Sequence, residues 1–220
     1  MGVLGLVLPS RCAGCDVPGP SLCESCFSAL HRIAPPVCDR CGSPGAWPVR
    51  RCVECAGRRL AFARARSVVV YDARARRIVS AWKERGRRDL VTTLAEIVVD
   101  VVARPDVDAV TFVPGDRERR RERGHVPSAR LAESLGERWG LSVEPLLARA
   151  RPTPRQASLP RAERAANVRG AFSCRAVAPP RVLLVDDVYT TGATASACAT
   201  ALRHAGARRV EVVCLARAVR

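Results

Sequence analysis

Residues Arg181–Gly206 read RVLLVDDVYTTGATASACATALRHAG, and this stretch decides the fold. It opens on an apolar run of strand character, Val182–Val185, and reaches two adjacent carboxylates, Asp186 and Asp187. A small, hydroxyl-rich turn follows, Thr190-Thr191-Gly192-Ala193-Thr194. The Ala-rich segment Ala195–Ala205 then reads as a helix, with Gly206 placed to cap its C-terminus. Strand, turn and helix N-terminus together make an anion site, because backbone N–H groups and the helix dipole converge on the loop. The threonine hydroxyls add donors that fit a phosphate, and Gly192 lets the backbone approach closely. Two carboxylates just ahead of a phosphate cradle suit a ribose, since each accepts hydrogen bonds from a diol. The stretch describes a ribose phosphate lying across a strand end.

It closely resembles the 5-phosphoribosyl-1-diphosphate (PRPP) signature of type I phosphoribosyltransferases, which carries two acidic residues followed by a Thr/Gly-rich phosphate loop. The resemblance implies that Asp186 and Asp187 hold the ribose hydroxyls while Thr190, Thr191, Gly192, Ala193 and Thr194 wrap the 5′-phosphate. It also implies an α/β fold, a mostly parallel sheet flanked by helices. Two other readings compete. A buried strand ending in Asp-Asp also opens phosphorelay receiver domains, but there it stands near the domain's start, and only Val188–Arg220 follow it here. A plain strand–turn–helix with a polar cap leaves the adjacent aspartates unexplained.

At 220 residues the chain has room for one ordinary domain and a small one. An apolar fraction of 48% supports a packed core. The net charge of +16 and a pI near 10.7 point to anionic partners, whether phosphates, nucleotides or nucleic acid. Almost all of that charge is arginine, with Lys83 the one lysine, a skew that a GC-rich genome also produces. Met1–Pro9 is too short for a secretory signal and lacks a basic start. Asp100 interrupts the run Ile97–Ala103, so no membrane insertion is expected.

Eight of the eleven cysteines fall in C-x-x-C pairs: Cys12/Cys15, Cys23/Cys26, Cys38/Cys41 and Cys52/Cys55. Each pair puts two thiolates on a tight knuckle, and two knuckles close a tetrahedral site. Four pairs therefore predict two structural Zn²⁺ ions and a reducing, cytoplasmic setting. Sequential pairing and a cross-braced arrangement are both compatible with the spacing. A segment this small and poor in apolar runs needs metal to fold. The predicted division is a zinc module over residues 1–60 and an α/β domain over 61–220.

Beyond the cysteines, Ser67–Tyr71 reads as a strand, and Asp72 as the cap of a helix burying Ile78, Ala81 and Trp82. Lys83 falls on that helix's last turn and Gly86 ends it. Asp89 is expected to cap a helix with Leu90, Leu94, Ile97, Val98 and Val101 on one face. Ala109–Val113 is a second buried strand ending in Pro114-Gly115-Asp116 and the basic run Arg117–Gly124. Ser128 opens a helix with Leu131, Leu135 and Trp139 inward. Arg149–Phe172, broken by prolines and rich in arginine, reads as a mobile active-site lid, with a disordered linker as the alternative. Arg209–Ala216 supplies a last strand, and Cys174, Cys198 and Cys214 read as inert core.

Taken whole, the chain resembles the ComF family, in which a cysteine-rich zinc module precedes a phosphoribosyltransferase-like domain. Beyond the opening stretch the resemblance rests on Tyr71 with Lys83 and Gly86, Val113-Pro114 and Arg123-Gly124. It extends through Arg155, Gln156, Leu159, Arg164, Asn167, Val168, Gly170, Ala171 and Phe172. Many members continue Val-Pro with Leu-His where Gly115-Asp116 stands here, and read Arg-Gly-Phe-Asn-Gln where this chain has Arg123-Gly124-His125-Val126-Pro127.

The resemblance implies PRPP bound with Mg²⁺, a pyrophosphate-binding loop at Val113, Pro114, Gly115 and Asp116, and catalytic roles for Asp186, Asp187, Arg123 and Arg155. Phosphoribosyl transfer to an unidentified acceptor would release pyrophosphate. It also implies a link to DNA uptake and competence. The alternative is therefore a non-catalytic PRPP sensor or single-stranded-DNA-binding protein that meets other competence proteins.

Overall fold

The computed structural model describes residues 10–116, 124–151 and 163–219. A four-stranded sheet forms its centre, built from β1 (Arg64–Val70), β2 (Ala109–Phe112), β5 (Arg181–Tyr189) and β6 (Arg209–Arg217). The spatial order is β1-β6-β5-β2, and every neighbouring pair is parallel. Residues 142–144 flank β2 through a further parallel bridge, Val110 to Val143. This is the expected α/β architecture. Parallel strands need helical crossovers, which cover both faces and explain why β5 is apolar at consecutive positions.

The alternation of side chains along a strand divides the core in two. Leu183 and Val185 of β5, with Val213 and Leu215 of β6, face a layer made by α2 (Ala73–Glu84), α3 (Leu90–Val101) and α4 (Pro127–Trp139). Val182 and Leu184, with Val210, Val212 and Cys214, face α6 (Ala193–His204) on the other side. Cys198 and Cys214 are buried, as expected, and Cys174 is partly buried.

The cysteine-rich segment wraps the β1 edge and contributes to both cores. Arg32 forms an antiparallel bridge with Val69, so residues 31–33 cover an edge that would otherwise present unpaired backbone groups. Cys12, Cys26 and Leu30 pack into the first core; Cys38, Cys41 and Cys55 pack into the second. A short helix, α1 (Glu24–Ser28), lies within the first knuckle pair.

Several elements differ from the sequence expectation in instructive ways. β5 continues through both aspartates to Tyr189, since Asp186, Val188 and Tyr189 stay in register with Cys214, Ala216 and Arg217 of β6. α6 starts at Ala193, two residues earlier than the composition suggests, because Gly192 at its N-cap takes the left-handed conformation that turns the chain. Asp72 does cap α2, accepting from the amide of Ala75 at 2.9 Å. Asp89 precedes α3 but makes no capping bond: its carboxylate is held by Arg87 and the hydroxyl of Ser21 instead. Val101 at the end of α3 is exposed rather than buried.

The lid segment begins and ends in structure. β3 (Leu147–Arg149) pairs antiparallel with β4 (Phe172–Cys174), bringing Arg149 opposite Phe172, and α5 (Glu163–Asn167) leads into β4. Arg155, Gln156 and Leu159 lie outside the described residues, as do Arg123 and most of the basic run after Asp116. No helix among the described residues is long and apolar enough to cross a membrane.

Candidate functional site

Ligands of parallel α/β folds bind at the carboxyl ends of the strands, where loops and helix N-termini converge. Here the C-terminal end of β5 delivers Asp186, Asp187 and the turn Thr190–Thr194, while the end of β2 delivers Val113 to Asp116. The two strands are adjacent and in register, Phe112 against Val185, and the amide of Val113 donates to the carbonyl of Val185 at 3.0 Å. The structure thus brings the predicted ribose and diphosphate segments side by side. Ser128 at the start of α4 fixes the second segment by donating to the carbonyl of Val113 at 2.6 Å.

The turn is short of internal partners. Among the described residues, the amides of Thr191, Gly192, Thr194 and Ala195 make no hydrogen bond within the protein. The amide of Ala193 reaches the Thr191 hydroxyl at 3.3 Å, and the carbonyl of Gly192 already accepts from Ser196 at 2.8 Å. Buried amides without partners carry a desolvation cost, so a cluster of them at a helix start favours an anion. Gly192 is required here on two counts. Its φ of +73° suits glycine, and a Cβ at this position would overlap the Tyr189 ring and hydroxyl.

The two aspartates sit in different electrostatic settings. Asp187 is paired with Lys83 of α2, Nζ to Oδ2 2.5 Å, both side chains being largely shielded from solvent. Asp186 is pushed up to about 7, first by burial and then by the neighbouring Asp187 charge. Lys83, Arg149 and the amide of Asp187, which donates to Asp186 Oδ1 at 2.9 Å, oppose that shift. One carboxylate is thus paired with a cation, and the other titrates near neutrality.

Arg149 was not legible as a site residue in the sequence beyond marking the start of the lid. Its guanidinium lies 5.2 Å from the Phe172 ring centroid and donates to the carbonyl of Pro114 at 3.3 Å. The base of the lid is thereby tied to the loop after β2. The signal available was the spacing of Arg149 and Phe172 about a proline-broken insert, which a hairpin stem also produces.

The cysteines resolve the pairing left open by their spacing. Cys12, Cys15, Cys23 and Cys26 form one cluster and Cys38, Cys41, Cys52 and Cys55 another, with all four sulfurs of each within 4.8 Å of one another. The pairing is sequential. Amides of Gly14 and Cys23 point at Cys12 Sγ, at 3.4 and 3.3 Å, and that of Cys52 at Cys38 Sγ, at 3.3 Å. Such N–H donors stabilise thiolates, so both sets fit a closed tetrahedral Zn²⁺ site.

Residues 3–58 match the double zinc ribbon domain. The chain is 29% identical over 225 residues to DNA utilization protein YhgH of Salmonella typhimurium, covering 96% of this chain and 99% of that one. It is 27% identical to the YhgH protein of Escherichia coli K12 over 228 residues, at the same coverage. Against competence protein ComFC of Bacillus subtilis it is 28% identical over 200 residues, covering 86% of this chain and 80% of the other. Among solved structures, it aligns with the glutamine PRPP amidotransferase of B. subtilis complexed with ADP and GMP. That alignment has a TM-score of 0.38 and 27% identity, over 64% of this chain and 28% of the larger enzyme. A second alignment, with an allosteric regulatory enzyme of purine biosynthesis, has a TM-score of 0.40 and 27% identity, over 62% of this chain and 26% of that one. The ComF resemblance read from the residues thus holds along nearly the whole chain.

Proposed function

We propose that this homologue of the YhgH and ComFC proteins, with its N-terminal double zinc ribbon, binds PRPP at the end of β5 and transfers its phosphoribosyl group to an acceptor, releasing pyrophosphate. The observation that carries the reading is the junction itself: two adjacent carboxylates ending a parallel strand, followed directly by a helix start whose amides are unspent. On this reading residues 1–60 form the zinc module and residues 61–220 the sugar-phosphate domain.

In this site Thr190 to Thr194 take the 5′-phosphate, and Asp186 and Asp187 accept hydrogen bonds from the ribose hydroxyls. Val113, Pro114, Gly115 and Asp116 face the diphosphate, and Arg123 and Arg155 are the arginines assigned by resemblance to the leaving group. Asp186 and Asp187 would be the carboxylates available to Mg²⁺ brought with PRPP, and the ion would neutralise the leaving group. Loss of pyrophosphate develops positive charge at ribose C1, so orientation and the fixed charges of the pocket supply most of the rate. Lys83 pairs with Asp187 and fixes its position at the strand end. Arg149 holds the lid stem against the diphosphate loop.

A second reading is favoured by the names of the relatives, which concern DNA utilization and competence, together with the +16 net charge. In it the same pocket senses PRPP and the basic surface carries single-stranded DNA among other competence proteins. The deciding experiment is calorimetric titration with Mg²⁺ and PRPP, followed by a pyrophosphate-release assay across purine and pyrimidine bases. Asp187→Ala should abolish PRPP binding while sparing any salt-sensitive DNA affinity. Wild-type protein that fails to bind PRPP would overturn both forms of the reading.

A further inference from the structure

Arg217, the last residue of β6, is a fully buried arginine. Burying a guanidinium is unfavourable unless its charge and donors are matched. Its partners come from the second cysteine cluster. Nη1 donates to the carbonyl of Cys41 at 2.6 Å, and Nη2 donates to Glu54 Oε2 at 2.8 Å and approaches Cys41 Sγ at 3.6 Å. Glu54 stands between the cluster ligands Cys52 and Cys55.

On its other side Arg217 meets the phosphate loop. It is the strand partner of Tyr189, and its guanidinium stacks 4.6 Å from the centroid of that ring. Tyr189 occupies the space that any side chain at residue 192 would need. The amide of Ala218, next along the chain, donates to the carbonyl of Tyr189 at 3.0 Å. Residue 61 adds a parallel tie, its amide donating to Ser196 Oγ in the first turn of α6 at 3.1 Å.

We propose that Arg217 is a positioning residue that couples metal occupancy of the Cys38/Cys41/Cys52/Cys55 cluster to the shape of the Thr190–Thr194 loop. Four thiolates around Zn²⁺ carry a net charge of about −2, which complements the buried guanidinium and holds its plane against Tyr189. With the metal lost, the two knuckles that carry Cys41 and Glu54 are no longer pinned together, so the anchors of the guanidinium move and the stack that supports Gly192 loosens. The first cluster, on the opposite face of the sheet, has no such route to the loop among the described residues. The inference rests on the phosphate-loop reading for its ligand, but not for its structural readout.

The test uses the full chain with its zinc content counted. Amide exchange is measured at Ser196 and Ala218, whose bonds close on Gly192 and Tyr189, alongside calorimetry with Mg²⁺ and PRPP. Arg217→Gln with two zinc ions retained should exchange about tenfold faster at those amides and bind PRPP about tenfold more weakly. Arg217→Lys, which restores charge without the planar stack, should recover part of both. Cys52→Ser, which opens the second cluster, should match Arg217→Gln at the loop in wild-type Arg217 background. Zinc-replete Arg217→Gln with wild-type exchange and affinity would overturn the coupling. Should that variant fail to fold, unchanged exchange in Cys52→Ser would overturn it instead. If wild type binds no PRPP while exchange still responds to Arg217, the ligand reading falls and the coupling stands.

Discussion

The ammonium of Lys83 lies 2.5 Å from a carboxylate oxygen of Asp187, joining the last turn of α2 to the end of β5 across the site. The pair is largely shielded from solvent, so removing one partner leaves the other poorly compensated. It also acts on Asp186, since the Lys83 charge is one of the influences holding that neighbour down.

Replacing Lys83 by methionine should therefore shift Asp186 toward the neutral form and leave Asp187 without its cation. Calorimetric titration of Lys83→Met with Mg²⁺ and PRPP at pH 7 should show affinity down by about tenfold, corresponding to about one pKa unit of lost charge stabilisation. The loss should shrink as pH is raised to 8.5, where Asp186 ionises regardless. A pH-independent loss would mean that Lys83 contacts the ligand rather than tuning the acids.

Asp186 gives a stability prediction whose sign is fixed. Its folded-state value, about 7, stands above the ordinary carboxylate value of 3.8, so between those limits the folded chain binds more protons than the unfolded one. Its contribution to stability is thus fully present below about pH 4 and is lost as pH rises through 7. Asp186→Asn keeps an oxygen for the Asp187 amide and removes the charge. Urea denaturation should find it more stable than wild type by about 1 kcal/mol or more at pH 8, with the advantage fading toward pH 4.

The hydroxyl of Tyr189 is buried with no hydrogen-bond partner among the described residues. Tyr189→Phe removes an unsatisfied group while keeping the ring against Arg217 and Phe62, and should be neutral or stabilising by up to about 1 kcal/mol in thermal melts. Gly192→Ala meets both a positive φ and the Tyr189 ring, and should lose about 2 kcal/mol together with PRPP affinity. The double variant should recover little, because the ring carbons also stand in the way of a Cβ.

Because the cysteine clusters contribute residues to both cores, zinc removal should not simply unravel the N-terminus. Chelation should lower the melting temperature of the whole chain as one transition, by about 10 °C or more if several kcal/mol of metal binding are withdrawn. Calorimetry resolving two transitions, with the later one unmoved by chelator, would show that residues 61–220 fold independently of the metal.

The sequence was sufficient for the chemistry that is local in the chain. Asp186, Asp187 and Thr190 to Thr194 are contiguous, so their strand–turn–helix setting followed from apolar pattern, glycine and cap. Asp72 as a cap and the four knuckles were legible for the same reason. Asp89 misled because its carboxylate finds a cation at Arg87 and a hydroxyl from Ser21, a partner 68 residues distant, which outcompete the helix amides. Val101 fell on the apolar stripe but beyond the last turn that meets the sheet.

By itself, then, the sequence determined an α/β chain with two sulfur-rich sites and a strand end fit for a sugar phosphate. Only tertiary structure decided that the knuckles pair sequentially, that Lys83 belongs to Asp187, and that Arg217 stands between a cysteine cluster and the residue beside the Thr190–Thr194 turn. Local pattern is written in neighbouring residues and their fixed periodicities. Which buried charge finds which partner depends on strand register across the sheet, and Tyr189 beside Arg217 is a contact made across 27 residues of intervening chain.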